Sequence, residues 1–418
     1  MTTPAAETVA SFRSVFSGPE GSGQAFDSLR SCQHKGPIAM VVRGDRASLR
    51  VGTSWRAVSE DRLTPVGRGP FVGVVAYEIG QVLEPTSTAP RPGMAPGGAR
   101  LEPAWGLGGW LELAEAVAPT PRSPGGCAGE RPYTLGPMRS VVGREAYVRS
   151  VARAVELIHA GDMYQVNLTH PLVGRFEGST RALFADLAAA SSPAFGCYVE
   201  LPPLPDGRQR AVLSLSPELL LRFEAASRTL TTEPMKGTRP ATEAGLADLN
   251  LAEKDKAELA MIVDLMRNDL GRVCEIGSVR VDAPRMLHRH GPAAGGVWQA
   301  SARVSGRLRE GLALEDALRA TLPAGSISGA PKVRAMQVIH ELEPMPRGPY
   351  CGAIGLVDEA GNAELAVGIR TAVVVGDQIR YDVGAGIVAQ SEPEAEWLET
   401  LAKAGPLRAV GVRIEDDR

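Results

Sequence analysis

Between positions 352 and 383 the chain strings together apolar, β-branched runs at 352–357, 364–375 and 378–383, separated only by short polar or glycine-bearing turns. Strands that follow one another without a helix between them pair as an antiparallel meander. Similar short runs recur at 39–42, 48–51, 71–77, 105–113, 164–168, 197–201 and 211–215. Helical spacing of apolar residues is confined to a few stretches: Tyr147, Val151, Ala154, Val155 and Ile158, then 251–269, 330–342 and a last helix opening near Ser391. Many strands in meanders with few intervening helices predict an α+β fold with antiparallel sheets rather than a doubly wound parallel sheet.

With 418 residues the chain is long enough for two or three domains or one large unit. Proline, glycine and serine concentrate at 85–100 and again at 118–137, and the second stretch is taken as the boundary between a β-rich part, 1–137, and a catalytic region, 138–418. A hydrophobic content of 44% and a charged content of 22% are those of a globular protein, with no apolar run long enough to span a membrane. The first 18 residues lack a basic start followed by an apolar run, so no secretory leader is expected. Five scattered cysteines without metal-ligand spacing point to reduced thiols and a cytoplasmic location. A net charge of −3 offers no basic field for nucleic acid. Of the 45 basic side chains only six are lysines. Each of those is worth weighing as a nucleophile, a role a permanently protonated guanidinium cannot fill.

Three motifs promise chemistry that their context denies. Gly125-Gly126-Cys127-Ala128-Gly129 matches a glutaminase-type cysteine elbow but lies in a Pro/Gly-rich loop with no His-x-Glu after it. Gly384-Ala385-Gly386-Ile387-Val388-Ala389 fits a dinucleotide fingerprint, yet too few residues remain to complete the βαβ unit. Its glycine amides could still bind another anion. His288 and His290 flank an arginine in an expected loop and show no metal-ligand pairing.

Other residues hold chemistry open. Glu258 shares a helical stripe with Met261, Ile262 and Leu265, so it is either a boundary carboxylate paired with an arginine or a member of a site. On the last helix Ser391 and Glu394 read as a capping box, and Glu392, Glu396, Glu399 and Lys403 line one face. Such a stripe is either solvated ion pairs or, together with Glu258, a carboxylate cluster for a hard cation such as Mg²⁺. Lys236 sits on a turn bounded by Pro234 and Pro240, and Glu218 ends the preceding strand-like segment. A strand pair would bring the two together for acid/base work.

Five runs in order resemble the chorismate-utilising enzymes: PMKGTRP (234–240), MIVDLMRNDLG (261–271), PAGSISGAPKVRAM (323–336), GIRT (368–371) and GAGIVAQSEPEAEWLETLAK (384–403). The resemblance extends from about Arg144 to Pro406, with weaker traces at Asp27-Ser28 and from Gly69 to Glu78. It implies two large antiparallel sheets packed as a sandwich with helices outside. Members that add water carry a lysine base where this chain has Gln165, so the resemblance implies ammonia as the nucleophile. Lysine at 236, where anthranilate synthases usually have alanine, looks like the large subunit of aminodeoxychorismate synthase, the alternatives being an anthranilate or 2-amino-2-deoxyisochorismate synthase or a lapsed regulatory homologue that binds chorismate or an aromatic amino acid.

The roles implied follow residue by residue. Lys236 attacks C2 of chorismate and Glu218 assists the departing C4 hydroxyl. Glu258 and Glu399, supported by Glu396, hold Mg²⁺. Arg370, Lys403 and the amides of Gly384, Ala385 and Gly386 take substrate carboxylates on an anion-binding turn, with Thr238, Gln299 and Gln165 also lining the substrate. A separate glutamine amidotransferase subunit supplies the ammonia. Two positions depart from the family pattern. Gln299 stands where histidine is common, and Leu356 stands where an aromatic residue, often tyrosine, is usual.

Overall fold

The computed structural model describes residues 29–30, 38–43, 46–57, 62–65, 70–84, 108–116, 132–291 and 296–415. The Cys127 elbow, Asp27-Ser28 and almost all of both Pro/Gly-rich stretches lie outside the described residues.

In chain order the strands are β1 (Ile38–Arg43), β2 (Arg46–Ala57), β3 (Phe71–Val75), β4 (Gly108–Ala116), β5 (Tyr133–Leu135), β6 (Met138–Ser140), β7 (Gln165–Gly178), β8 (Phe195–Leu201), β9 (Arg210–Ser216) and β10 (Leu219–Glu224). There follow β11 (Thr229–Glu233), β12 (Met235–Pro240), β13 (Arg280–His290), β14 (Val297–Arg307), β15 (Gly329–Ala330), β16 (Ala353–Val357), β17 (Ala363–Val367), β18 (Thr371–Val375), β19 (Gln378–Ile387) and β20 (Ile414–Glu415). The helices are α1 (Ile79–Leu83), α2 (Arg144–His159), α3 (Thr180–Ser191), α4 (Glu243–Leu251), α5 (Glu253–Gly271), α6 (Leu314–Thr321), α7 (Gly325–Ser328), α8 (Lys332–Leu342), α9 (Pro393–Ala402) and α10 (Gly405–Ala409).

Antiparallel pairing builds two large sheets. One runs β1, β8, β9, β18, β19, β7, and the other runs β4, β3, β16, β17, β10, β11, β14, with β12 and β13 also on β14. The 12-residue β2 joins them, because it pairs with β1 and with β4. Their inner faces meet in a cluster that mixes Val41, Val199 and Val373 of the first sheet with Val72, Leu219 and Ile354 of the second. Those central strands are buried on both faces, since helices cover the outside; β3 and β16 have no exposed residue at all. The expected α+β sandwich is the fold.

Local expectations fared unevenly. The run at 364–375 is two strands, not one, because Arg370 adopts a left-handed φ of 52° and breaks the ladder between β17 and β18. The segment around His288 and His290 is β13, not a loop. The helix expected at 251–269 begins at Glu253, with the single residue Ala252 between it and the end of α4. Gly376, at φ 57°, opens the two-residue turn that lets β18 and β19 pair as a hairpin. Leu356 is fully buried in the cluster between the sheets, so this departure from the family pattern is a core-packing position.

Candidate functional site

β12 carries Lys236 to the flank of α5, where its Nζ lies 2.7 Å from Glu258 Oε2. The face of α5 that packs on the sheet is built by Leu259, Ile262, Val263 and Met266, which leaves Glu258 at the rim with a lysine, not an arginine, as its cation. Lys254 approaches the other carboxylate oxygen at 3.8 Å. Glu218 sits between β9 and β10, whose neighbour β11 runs directly into Lys236's strand. Ser326 Oγ donates to Glu218 Oε1 at 2.5 Å. Burial pushes the Glu218 carboxyl up to about 7, against the pull of Ser326, the Met235 amide and Lys236. A carboxyl poised there can give and take a proton near neutrality. Ser326 lies inside one of the quoted motifs, but only the contact with Glu218 reveals what its hydroxyl does.

The glycines 384–386 do not form a turn. They continue β19, opposite Thr169, Leu168 and Asn167 of β7. Thr169 donates its amide to Glu343, and the Asn167 carbonyl accepts from Arg347, so both point away from β19. Their partners Gly384 and Gly386 must then also face outward, because opposed antiparallel residues share their bonding direction. The Gly384 carbonyl accordingly accepts from Lys403 Nζ at 2.6 Å. Where an anion-binding turn was expected, the structure has a strand edge with two amide directions that are unused among the described residues. A Cβ at Gly386 would lie 2.8 Å from Lys236 Nζ, so the lysine tip comes right up to this edge.

Lys403 also pairs with Glu399 at 2.9 Å. Burial lowers its ammonium pKa, and the nearby charges of Lys236 and Arg370 add to that, with Glu399 opposing. Arg370 is placed by its left-handed backbone and interacts with the Tyr381 hydroxyl. Three cations from three remote segments therefore face one region beside an open strand edge. Thr238 accepts from Gln299 Nε2 at 3.2 Å, which closes the β12 side. Gln165 is fully buried, and among the described residues neither its Oε1 nor its Nε2 has a hydrogen-bond partner.

At the start of α9 the expected capping box does not form. Glu392 is the N-cap residue and Pro393 the first helical one; Glu394 turns to Arg144, at 2.9 Å. Ser391 instead donates to Glu396 Oε1 at 2.6 Å while accepting from the Val388 amide. Burial raises the Glu396 pKa and the charge of Glu399 adds to it, with Ser391 opposing. For Glu399 burial works upward too, but Lys403, Lys236 and Lys254 outweigh it and its pKa is lowered. Among the described residues no three ligating side chains converge as a ready cage. Ammonium groups stand in for a cation at both Glu258 and Glu399. Hard carboxylate oxygens that supply only part of a coordination shell fit Mg²⁺, which keeps several waters and takes one or two carboxylates.

The sequence model of the family described as chorismate binding enzyme matches residues 110–409. Anthranilate synthase component 1 of Streptomyces coelicolor is 42% identical over 275 residues, 64% of this chain and 52% of that protein. Aminodeoxychorismate synthase of Streptomyces griseus is 38% identical over 306 residues, 71% of this chain and 41% of its own length. The chain thus spans about half the length of these curated relatives. Among solved structures, the menaquinone-specific isochorismate synthase MenF of Escherichia coli shares the fold with a TM-score of 0.69 at 21% identity, covering 92% of this chain and 91% of that one. Anthranilate synthase component I of Streptococcus pneumoniae does so with a TM-score of 0.65 at 24% identity, covering 89% and 90%. With a match that takes in most of its length and every residue of the site just described, the chain belongs to the chorismate binding enzymes.

Proposed function

We propose that the chain converts chorismate and ammonia to 4-amino-4-deoxychorismate, the precursor of p-aminobenzoate. The observation that carries this reading is Lys236, a lysine held within the electrostatic reach of Glu218 and flanked by cations suited to a dicarboxylate. As a free amine, Lys236 bonds to C2; both ring double bonds shift and the C4 hydroxyl leaves with a proton from Glu218. Ammonia then bonds to C4, the C2–N bond breaks, and both double bonds return to their places, so the lysine is regenerated. The covalent step divides one difficult substitution into two.

Arg370, Lys403 and the open edge at Gly384–Gly386 bind the substrate carboxylates, while Thr238, Gln299 and Gln165 line the ring. Glu258 and Glu399, with Glu396, would hold Mg²⁺, which when bound supplies positive charge against a substrate carboxylate. A glutamine amidotransferase subunit delivers the ammonia; related chains carry the name component 1. A second reading, amination at C2 to give anthranilate, is favoured by the 42% identity to a component 1 of that name.

The test is product identification by mass spectrometry and NMR after incubation with chorismate, MgCl₂ and an ammonium salt. The expected product is 4-amino-4-deoxychorismate, and recovery of anthranilate instead would overturn the assignment. Lys236→Ala and Lys236→Arg both abolish product, because neither offers a free amine. Glu218→Gln lowers kcat by roughly 10²- to 10⁴-fold, the usual size of a lost acid/base group.

A further inference from the structure

Lys236 and Gln165 are mismatched in the structure. Lys236 is bound to Glu258 at 2.7 Å, the carboxylate that the reading above gives to Mg²⁺. Lysine and metal cannot hold the same oxygen, so an arriving cation must displace the ammonium. Gln165, meanwhile, keeps a carboxamide with no exposure and, among the described residues, no hydrogen-bond partner, a state that native proteins rarely leave uncompensated. The two groups are neighbours. A single Cβ built on Gly386 would touch both, 2.8 Å from Lys236 Nζ and 3.4 Å from Gln165 Nε2.

We propose that Gln165 is the second partner of Lys236, receiving its nitrogen when a divalent cation takes Glu258. The exchange is a rotation of one flexible side chain past Gly386, with no change in the backbone. Gln165 Oε1 then accepts from Nζ, which holds the lysine over the open edge of β19 and away from the carboxylates. Glu258 and Lys254 face the starting position, and Glu399 and Lys403 lie beyond it on α9. Gln165 is in this sense a positioning residue acting through Lys236. The proposal rests on the metal being held at Glu258.

Isothermal titration of MgCl₂ into the full chain, without chorismate, reads the exchange directly. Lys236→Met removes the competitor and tightens Mg²⁺ binding by roughly two- to fivefold, the size of a partly exposed ion pair. Gln165→Leu removes the alternative partner and weakens binding by a similar factor, but leaves affinity unchanged in the Lys236→Met background. That coupling is what a double-mutant cycle isolates, and a merely structural effect of the leucine would persist in both backgrounds. Gln165→Met repeats the measurement with a flexible side chain should leucine impair folding. Unchanged or weaker binding in Lys236→Met overturns the exchange, and additive effects of the two substitutions overturn the role of Gln165. Absence of Mg²⁺ binding, or binding that survives Glu258→Ala, removes the metal assignment itself and the proposal with it.

Discussion

Glu218 illustrates what burial does to a single carboxyl. It is 5% exposed and its pKa is pushed up to about 7, well above the ordinary value near 4.3 of an unfolded glutamate. The folded state therefore binds the proton more tightly than the unfolded one. Its stabilising share is complete below the unfolded pKa and is lost as pH rises through about 7. Glu218→Gln is free of this loss. Its thermal unfolding temperature should match the wild type near pH 4 and exceed it by pH 8, where the difference reaches roughly 3 kcal/mol for a shift of this size. Parallel pH curves for the two proteins would show that burial does not set this carboxyl. The residue types at the site were legible in the sequence, since Lys236, Arg370 and Lys403 fall within the family motifs and Glu218 ends a strand-like run ahead of the first of them. Their partners were not. Nothing local says that Lys236 meets Glu258 or that Ser326 meets Glu218, because each contact joins segments far apart in the chain.

At the scale of the element, α9 depends on a chain of hydrogen bonds reaching it from β7. Thr400 Oγ1 donates to the Trp397 carbonyl, so toward His170 it must accept, which places a proton on His170 Nε2. Ser140 Oγ accepts from the Gly143 amide and donates to the unprotonated Nδ1. The ring stacks on Trp397 with centroids 4.6 Å apart, and burial lowers its pKa to about 3. His170 thus stays neutral and braces the helix that presents Glu396, Glu399 and Lys403. A histidine with a depressed folded pKa contributes stability above its unfolded pKa and loses it as pH falls toward about 3. His170→Gln should flatten that part of the acid unfolding curve, and nitrogen NMR should find the wild-type ring as the Nε2–H form at pH 6. A doubly protonated ring at that pH would contradict the brace. The last helix was readable from its stripe of charges. Its cap was not, because Ser391 is claimed by buried Glu396 in preference to the helix amides.

On the scale of the whole molecule, β2 joins the two sheets, and a buried ionic group ties their far ends to the site. Arg347 is buried and binds both carboxylate oxygens of Glu343 and the carbonyls of Asn167 and Ile327, with its guanidinium 4.5 Å over the Tyr77 ring. Glu343 also holds the Thr169 amide, and Glu78 holds those of Arg347 and Gly348. β3, α8, β7 and, through β7, the open edge of β19 share this support. Arg347→Met strands the Glu343 charge and should cost roughly 3–5 kcal/mol in denaturant unfolding, as broken buried pairs do. Arg153→Ala, which removes an exposed pair with Glu156, should cost less than about 1 kcal/mol. Equal effects would mean that the buried network contributes no more than the surface one.

The sequence by itself determined the class of fold and the chemical vocabulary. Closely spaced β-branched runs admit only antiparallel neighbours, and residue types such as the lysine at 236 set which reactions are open. Both are properties of the local chain, carried by side-chain period and by ionisable groups. The tertiary structure alone decided which groups face one another. It put Leu356 in the core between the sheets, turned a glycine-flanked turn into an open strand edge, and held Lys236 against Glu258 beside a Gln165 that has no hydrogen-bond partner among the described residues. Those outcomes depend on how strands far apart in sequence come to pair and on which charges burial leaves in reach, quantities that no local pattern contains.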